Sequence, residues 1–522
     1  MTRRRSQLLS RRRGEQDERR DLLRVFEKYS VGQMERRDFL RACSVAGVSL
    51  AASGMLQGCD RVKRWIRPSS LSEEVKETIG PKSAIDPQTE QHRFLTEMKR
   101  RFQGVTLDVV CEDTPPAAAT VALMKEEFAP LTGIQVRWER RPLDQVLARI
   151  VSDTALQTGA IDIFYIDEGW LAQFAGDLVE HREFLVKSDL AYPEYDFPDI
   201  LPELVKHIGT YEGKLVGIPY DTPVHIMIYR KDIFGELRLP VPTTMASYME
   251  TVRAIQQELG PSTYGTTGMW KAGHYSLYIE MTINLWAHGG SIYGSDRLSR
   301  LNDDRAEDAL RYMLELGKWM PPAVTTWDWN GAVSSFARGD IGVALMSGEY
   351  FSGLDDPASS KIVGLAEPAP CPKEVALRSP ADCGFEETPG ISRQGGSCLG
   401  ISRYSKNQDA AWLLLQWATS SDITTRASLL GGGSSPIRAS NYADPRTRAR
   451  ARVMAGTTRQ FPAALDAIRH RMGTDPHLPE FDELVSVLAV ELGKLTTGQQ
   501  NLKTTTNTMA RSADAIAKRK IR

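Results

Sequence analysis

The sequence predicts an α/β fold that is divided into two lobes. Between residues 105 and 166, runs of β-branched and apolar residues alternate with runs of helical spacing. This order is typical of a parallel sheet with helices on both faces. The chain has 522 residues, and 464 remain after residues 1–58, which we interpret below as an export signal. A chain of that length exceeds what one hydrophobic core usually serves, so we expect two lobes.

The first lobe begins with a regular succession of elements. The pattern predicts strands over residues 105–110, 134–138 and 161–166, with helices over 117–128 and 143–154 between them. In such sheets the carboxyl ends of the strands border the ligand crevice. Glu112 and Asp113 follow the first strand, and Asp167, Glu168 and Trp170 follow the third. We therefore expect these side chains to face a ligand.

The N-terminal segment has the layout of an export signal. Arg36 and Arg37 precede an uncharged stretch, residues 42–58, that ends at Leu56-Gln57-Gly58-Cys59. It resembles a twin-arginine signal with a lipoprotein cleavage box, which implies that Cys59 becomes the lipidated first residue. The alternative is an uncleaved membrane anchor, but the stretch contains three serines and three glycines, and it is shorter than the ~20 strongly apolar residues of a span. Either outcome tethers the folded part to the outer face of a membrane.

Residues 59–104 are polar and charged, and they predict a tether that joins the anchor to the folded part. Short helices are expected on it around residues 72–78 and 89–102. The whole chain has a net charge of −1, and residues 1–41 hold 13 basic against 7 acidic side chains, so the mature part carries about −7. An acidic mature surface argues against a nucleic-acid partner.

Four cysteines follow Cys59, and an even number in an exported chain allows two disulfides. Cys371 and Cys383 enclose a loop rich in proline and charge, which suits a local bridge. Cys111 and Cys398 each lie in a strand-like run, so they would be bridged if those strands were neighbours. Free buried thiols are the alternative for all four.

From residue 211 to 230 the chain reads Tyr-Glu-Gly-Lys-Leu-Val-Gly-Ile-Pro-Tyr-Asp-Thr-Pro-Val-His-Ile-Met-Ile-Tyr-Arg. This segment is similar to the bacterial extracellular solute-binding proteins of family 1, the sugar-binding receptors of ABC importers. The resemblance continues in order from residue 105 to about 502, through residues 162–178, 231–234, 242–244, 285–290, 336–346, 395–402, 405–412 and 433–438.

The resemblance implies a two-lobe periplasmic-binding-protein fold of type II, with solute bound in the cleft between the lobes. Lobe 1 would comprise residues 105–220 and 398–435, and lobe 2 residues 221–397 and 436–510. The chain would cross between them near residues 219–225, 395–400 and 434–441. Helical runs at 465–472 and 480–495 would pack on lobe 2 and cover the hinge.

A sugar cleft needs aromatic planes for the ring faces and carboxylate or amide groups for the hydroxyls. Aromatic residues stand beside such groups after several strands, and the Trp327-Asp328-Trp329-Asn330 segment before a predicted helix at 331–338 is the most suggestive. Trp286, on an apolar helical run, is assigned to the core instead. The predicted solute-binding residues are Glu112, Asp113, Asp167, Trp170, Tyr220, Asp221, Trp270, Trp327, Trp329, Glu349, Tyr350 and Gly396.

The glycine runs at 395–396 and 431–433 lack the spacing of a phosphate-binding loop, so we interpret them as hinge turns. The chain contains no Gly-x-Ser-x-Gly elbow and no His-Glu-x-x-His motif. We expect no catalysis, no cofactor and no metal.

The sequence thus predicts a membrane-tethered, monomeric receptor that captures a sugar, oligosaccharide or polyol and passes it to an ABC permease. One alternative is a receptor of the same fold for a polyamine, in which Asp113, Asp167, Asp221 and Glu349 would pair with ammonium groups. Others are a solute-sensing lipoprotein without a transport role, and an exported enzyme or chaperone that reuses the fold.

Overall fold

A computed structural model describes residues 86–372, 392–393, 395–431, 436–473 and 475–518. The signal residues Arg36 and Arg37, the lipidation site Cys59 and the predicted helix at 72–78 lie outside these ranges, and those predictions stay untested. Among the described residues, no helix has the length and apolar character needed to cross a membrane.

The described strands form one larger sheet and several small ones. In chain order they are β1 (Thr106–Glu112), β2 (Gln135–Arg141), β3 (Ile163–Asp167), β4 (Thr210–Tyr211), β5 (Lys214–Leu215), β6 (Ile218–Asp221), β7 (His225–Arg230), β8 (Val343–Ser347), β9 (Ala366–Ala369), β10 (Ser392–Arg393), β11 (Ser397–Ile401) and β12 (Met472–Gly473).

Helices cover these sheets on both sides. In chain order they are α1 (Glu90–Phe102), α2 (Pro115–Leu123), α3 (Ala129–Thr132), α4 (Leu143–Leu156), α5 (Leu171–Phe174), α6 (Arg182–Leu185), α7 (Pro202–Leu204), α8 (Lys231–Glu236), α9 (Met245–Leu259), α10 (Tyr275–Ala287), α11 (Asp304–Gly317), α12 (Trp329–Ala337), α13 (Phe351–Leu354), α14 (Gln408–Ala418), α15 (Ser421–Gly431), α16 (Ala439–Ala443), α17 (Pro445–Ala449), α18 (Phe461–His470), α19 (Phe481–Thr496) and α20 (Leu502–Lys518).

Lobe 1 is built on a five-stranded sheet in the order β2-β1-β3-β11-β6. Strands β1, β2 and β3 are parallel, as the alternation of strands and helices predicts, and Thr106 lies opposite Gln135. The strand β11 runs antiparallel to both β3 and β6, so the complete sheet is mixed. The reason is connectivity: β11 enters the sheet from the other lobe and not through a helical crossover of lobe 1.

The first helices of this lobe begin at residues whose side chains cap them. The Thr89 hydroxyl accepts a hydrogen bond from the His92 N–H, so α1 begins at Glu90 as the predicted 89–102 helix requires. The Thr114 hydroxyl likewise accepts from the Ala117 N–H. The predicted 117–128 helix is present as α2 followed by a π-helical turn, Met124–Phe128.

Lobe 2 contains a smaller, antiparallel sheet in the order β8-β7-β9. His225 lies opposite Ser347 in β8, and Met227 lies opposite Ala369 in β9. One face of this sheet packs on its own core, which includes Ile226, Phe336 and Met346. Because the carboxyl end of β8 continues directly into Gly348–Tyr350, Glu349 and Tyr350 follow a strand end.

The two crossing segments run side by side. The N–H of Gly395 donates to the Pro223 carbonyl oxygen at 2.9 Å, and the N–H of Glu168 donates to the Gly396 carbonyl oxygen at 3.0 Å. In the third predicted crossing, residues 434–435 lie outside the description, but the Leu201 N–H donates to the Ile437 carbonyl oxygen at 2.9 Å. Backbone hydrogen bonds therefore hold the connections between the lobes together.

The C-terminal helices cover one side of this junction. Helix α19 packs against α10 of lobe 2 and against the residues that follow β3 of lobe 1. The helices α18 and α19 correspond to the predicted runs at 465–472 and 480–495, each displaced by a few residues.

Cys111 and Cys398 do not form a disulfide between their strands. Cys111 and Cys398 are both free and buried, because β3 lies between their strands β1 and β11. Cys371 is also a buried free thiol, and its Sγ donates to the His225 carbonyl oxygen at 3.4 Å. Cys383 lies outside the described residues, so its pairing stays a prediction.

Candidate functional site

Carboxylates stand at the ends of strands in both lobes. Glu112 is the last residue of β1, Asp167 of β3 and Asp221 of β6, while Glu349 follows β8. In the lobe 1 sheet, Ser397 lies opposite both Asp167 and Asp221. The sheet edge at the cleft is therefore lined with acceptors, as the sequence predicts.

Three of these residues, Glu112, Asp221 and Glu349, form what we term the acidic group. Burial raises the pKa of Glu112 to about 8, and the negative charges of Asp221 and Asp167 add to the effect. Burial likewise raises the pKa of Glu349 well above its ordinary range, with contributions from the charges of Asp221 and Glu112. The charge of Glu112, at the end of β1, therefore acts on Glu349, which follows β8.

Two tyrosines accompany the acidic group. The hydroxyl of Tyr165 in β3 donates to Glu112 Oε2 at 3.3 Å. Burial raises the pKa of Tyr350 well above its ordinary value, and the charges of Glu349 and Glu112 raise it further. Both phenols therefore stay protonated and can donate hydrogen bonds.

Asp167 has a different environment. Its pKa is raised to about 7, chiefly because the carboxyl group is buried. The Arg393 guanidinium opposes this rise, and the negative charge of Asp475 adds to it. Asp167 Oδ1 also accepts the Gly169 N–H at 3.1 Å.

Asp113 is paired with Arg140, with 2.8 Å between Asp113 Oδ1 and Arg140 Nη1, so the charge of Asp113 is already offset.

The wall of lobe 2 is aromatic. Trp327, Asp328 and Trp329 precede or begin α12, and all three are half-buried. The helix starts at Trp329 and not at residue 331, because Asp328 Oδ1 accepts the N–H groups of Asn330 and Gly331 at 3.1 and 3.4 Å. Asp328 also lies 3.2 Å from Lys271 Nζ.

Sequence reasoning missed the loop that faces this helix. The His274 ring lies 5.2 Å from the Trp329 ring, and Tyr275 beside it is half-buried. The negative charges of Asp328 in lobe 2 and Asp144 in lobe 1 both act on His274, whose pKa burial lowers. The two lobes therefore approach each other here. The Lys-Ala-Gly-His-Tyr segment directly after Trp270 is the sequence feature that could have indicated this loop.

Three predicted residues are largely enclosed by the protein. The Trp170 indole is 4% exposed, and its Nε1 donates to Asp482 Oδ1 of α19 at 3.0 Å. Trp270 is 3% exposed, and a Cβ added at Gly317 would meet its ring at 2.5 Å. Gly396 is buried, and its carbonyl oxygen accepts the Glu168 N–H.

Tyr220 is buried in lobe 1, where its ring lies 6.2 Å from that of Trp138. Trp286 is 1% exposed, which confirms its assignment to the core. Within the described ranges, no group of three or more His, Cys, Asp or Glu side chains is arranged to hold a metal ion. The arrangement is one of hydrogen-bond acceptors, phenol donors and aromatic planes near the strand ends.

Comparisons with known proteins agree with this architecture. The model of the bacterial extracellular solute-binding protein family matches residues 124–455. The chain is similar to an erythritol/L-threitol-binding protein of Mycolicibacterium smegmatis, 23% identical over 436 residues, which cover 78% of this chain and 82% of that protein. It is also similar to a probable amino-acid ABC transporter periplasmic-binding protein of Sinorhizobium fredii, 22% identical over 338 residues, covering 64% and 72% of the two chains.

Among solved structures, the chain resembles an ABC transporter solute-binding protein of Agrobacterium radiobacter K84 in complex with ribitol. The TM-score is 0.69 at 23% identity, and the match covers 79% of this chain and 99% of that one. This likeness shows the two-lobe fold of type II periplasmic-binding proteins.

Proposed function

The chain belongs to the bacterial extracellular solute-binding protein family, and from this premise we propose that it is the substrate-binding receptor of an ABC importer for a polyol, sugar or oligosaccharide. Membership of an extracellular family indicates an exported protein. The observation that carries the proposal is the set of carboxyl groups that end or follow strands of both lobes: Glu112, Asp167 and Asp221 in lobe 1 and Glu349 in lobe 2.

Hydroxyl groups are the natural partners of such a group. A polyol hydroxyl donates to a carboxylate in a charge-assisted hydrogen bond, which is stronger than a neutral one. The phenols of Tyr165 and Tyr350 supply donors for the hydroxyl oxygens, and Trp329 with His274 offers ring faces for C–H groups. We propose these residues, with Asp221, as solute contacts.

Capture requires no chemistry on the solute. A ligand that contacts both lobes has a higher affinity for the closed form than for the open form, so its binding shifts the population toward closure. The closed form would then dock on the permease. The polyol named in one relative, and the ribitol in one solved structure, support a small polyhydroxylated solute.

We also propose that Cys59 is lipidated after export directed by Arg36 and Arg37, and that the receptor acts as a monomer at the membrane surface. A diacylated cysteine provides the two-chain anchoring that one acyl chain cannot. Metabolic labelling with a fatty acid, compared between the native chain and Cys59→Ser, tests the anchor: label that persists in the variant would contradict it.

The solute proposal is tested by isothermal titration of the full chain in detergent against erythritol, ribitol, D-mannitol, D-glucose and maltose. We expect at least one of them to bind, and Trp329→Ala to weaken it by about tenfold or more. Trp319→Ala is the matched control, because Trp319 is a half-buried indole of lobe 2 outside the proposed site. No heat with any of the five compounds would refute the polyol and sugar assignment.

A second candidate is a cationic solute such as a polyamine or an amino compound. The raised pKa values of Glu112 and Glu349 favour it, since an ammonium group would lower both and offset their mutual repulsion. Putrescine, spermidine and arginine in the same titration decide between the candidates. Affinity for a cation should fall steeply between 50 and 500 mM salt, whereas affinity for a neutral polyol should not.

A further inference from the structure

A buried cluster lies where the crossing segments meet both lobes. We term it the hinge cluster, and it consists of Glu168, Tyr275, Tyr278, Arg393 and Asp475. Arg393 belongs to β10, and its side chain is 2% exposed. Its guanidinium forms a close ion pair with Asp475 and donates from Nη2 to the Tyr275 hydroxyl at 2.5 Å.

The contacts of Asp475 extend the cluster to lobe 1. The backbone N–H of Asp475 donates to the Glu168 carboxylate, which follows β3. The Tyr278 hydroxyl of α10 donates to Asp475 Oδ1 at 2.8 Å. The guanidinium thus contacts Asp475 and the start of a lobe 2 helix directly, and it is linked to Glu168 of lobe 1 through the Asp475 backbone.

The charges in the cluster are unequal. Arg393 is one cation among the carboxyl groups of Asp167, Glu168 and Asp475. Burial raises the pKa of Glu168 well above its ordinary range, and the charge of Asp475 raises it further, while Arg393 opposes the rise. Nη2 of Arg393 donates both to Asp475 and to the Tyr275 hydroxyl, so one nitrogen holds a carboxylate and a phenol together. The charge of Arg393 therefore holds together groups that would otherwise repel one another.

Tyr275 connects this cluster to the cleft. Its ring is stacked on that of Tyr278 at 5.9 Å, with 16° between the planes, and it follows His274, which contacts Trp329. Arg393 also lies over the Tyr275 ring, 5.3 Å from its centre. Whereas Arg393 is buried, Tyr275 is half-buried, so one side of its ring remains accessible.

We propose that Arg393 is a positioning residue that holds Tyr275 of the lobe 2 wall to Asp475, and through the Asp475 backbone to Glu168 of lobe 1, and thereby fixes Tyr275 beside the cleft. The inference rests on the proposed function, because it takes the space between the lobes as the solute site. In this arrangement the solute does not need to order Tyr275, since Arg393 already does so, and affinity gains from the preorganised ring.

The test compares Arg393→Lys, Tyr275→Phe and the double variant in the full chain. Arg393→Lys retains the charge but replaces the planar guanidinium by an ammonium group on a shorter side chain, and Tyr275→Phe retains the ring and loses the hydroxyl. Arg426→Lys is the matched control, because Arg426 is also buried and ion-paired, with Glu127, but lies in lobe 1 away from the crossings.

The first readout is hydrogen exchange without any solute, at the amides of Glu168 and Gly395 that bridge the crossings. Either single variant should speed exchange there by about tenfold, and the double variant should add little, because both changes break the same bond. Exchange at these two amides should be unchanged in Arg426→Lys. Equal exchange in all variants, or additive effects of the two changes, would overturn the proposal.

The second readout is affinity for whichever of the five neutral compounds binds the native chain. Both single variants should lose about tenfold, again without additivity. If no compound binds the native chain, the proposed function fails while the exchange result still decides the role of Arg393. If a compound binds all variants equally and the exchange differs, Arg393 is a structural residue only and the proposal fails.

Discussion

Replacing Glu112 by glutamine should make the empty protein more stable at alkaline pH while weakening solute binding. The carboxyl group of Glu112 has a pKa of about 8 in the folded protein against 4.5 ordinarily. Between these values the folded state keeps a proton that the unfolded chain has lost. The free energy of unfolding therefore falls as the pH rises from about 4.5 to about 8, because ionising the buried group opposes folding.

The size of the effect follows from the same values. One pKa unit corresponds to about 1.4 kcal/mol, so the rise from 4.5 to about 8 sets an upper limit of about 5 kcal/mol. Glu112 is partly exposed, and water screens its charge, so we expect about 2 kcal/mol. For a domain of 150–250 residues this corresponds to an increase in Tm of about 4–8 °C.

The assay is thermal unfolding of native chain and Glu112→Gln from pH 4.5 to pH 8.5. The two curves should coincide near pH 4.5 and diverge toward pH 8.5, with the variant more stable. Glu139→Gln is the control, because Glu139 lies on the neighbouring strand and pairs with Arg149 at 3.5 Å. A variant that is less stable than the native chain at pH 8.5, or that keeps the native pH dependence, would refute the reasoning.

Three further outcomes follow from local packing. Gly169→Ala should lower the free energy of unfolding by about 1–3 kcal/mol, because the added Cβ would lie 2.1 Å from Phe481. Gly176→Ala is the control and should leave stability unchanged, since no atom lies within 4 Å of its Cβ. Equal urea midpoints for the two variants would contradict this. Arg426→Gln should lower the free energy of unfolding in urea by about 3–5 kcal/mol, because it leaves the Glu127 carboxylate buried without its cation. A loss below about 1 kcal/mol would argue against a buried ion pair. Alkylation at pH 8 followed by peptide mapping should leave the buried thiols of Cys111, Cys371 and Cys398 unmodified until denaturant is added. Modification without denaturant would show that they are accessible.

Much of the fold could be predicted from local pattern. The ends of strands β1 to β3 lie within about three residues of their predicted positions, because alternation of apolar residues is a property of the segment itself. The capping residue Thr89 could likewise be read from the sequence. The predicted bridge between Cys111 and Cys398 failed because strand neighbours are decided by topology, and the sequence does not state that β3 intervenes.

The candidate site was predicted in part. The carboxylates at strand ends were found because parallel strands end at a common edge. Trp170 and Trp270 were chosen for residue type, but burial depends on what packs against each indole, and α19 and Gly317 are distant in sequence. His274 and Tyr275 were missed because their loop carries no periodic signal.

The sequence by itself predicted an export signal by resemblance. It also determined the two-lobe family fold and the residue types available to the cleft. Only the tertiary structure decided which of those residues meet. The charge of Glu112 acts on Glu349, Arg393 donates to Tyr275 and pairs with Asp475, and the Asp475 N–H donates to Glu168. The physical reason is that periodicity and capping act over a few residues, whereas charge, burial and hydrogen bonding depend on distance in space.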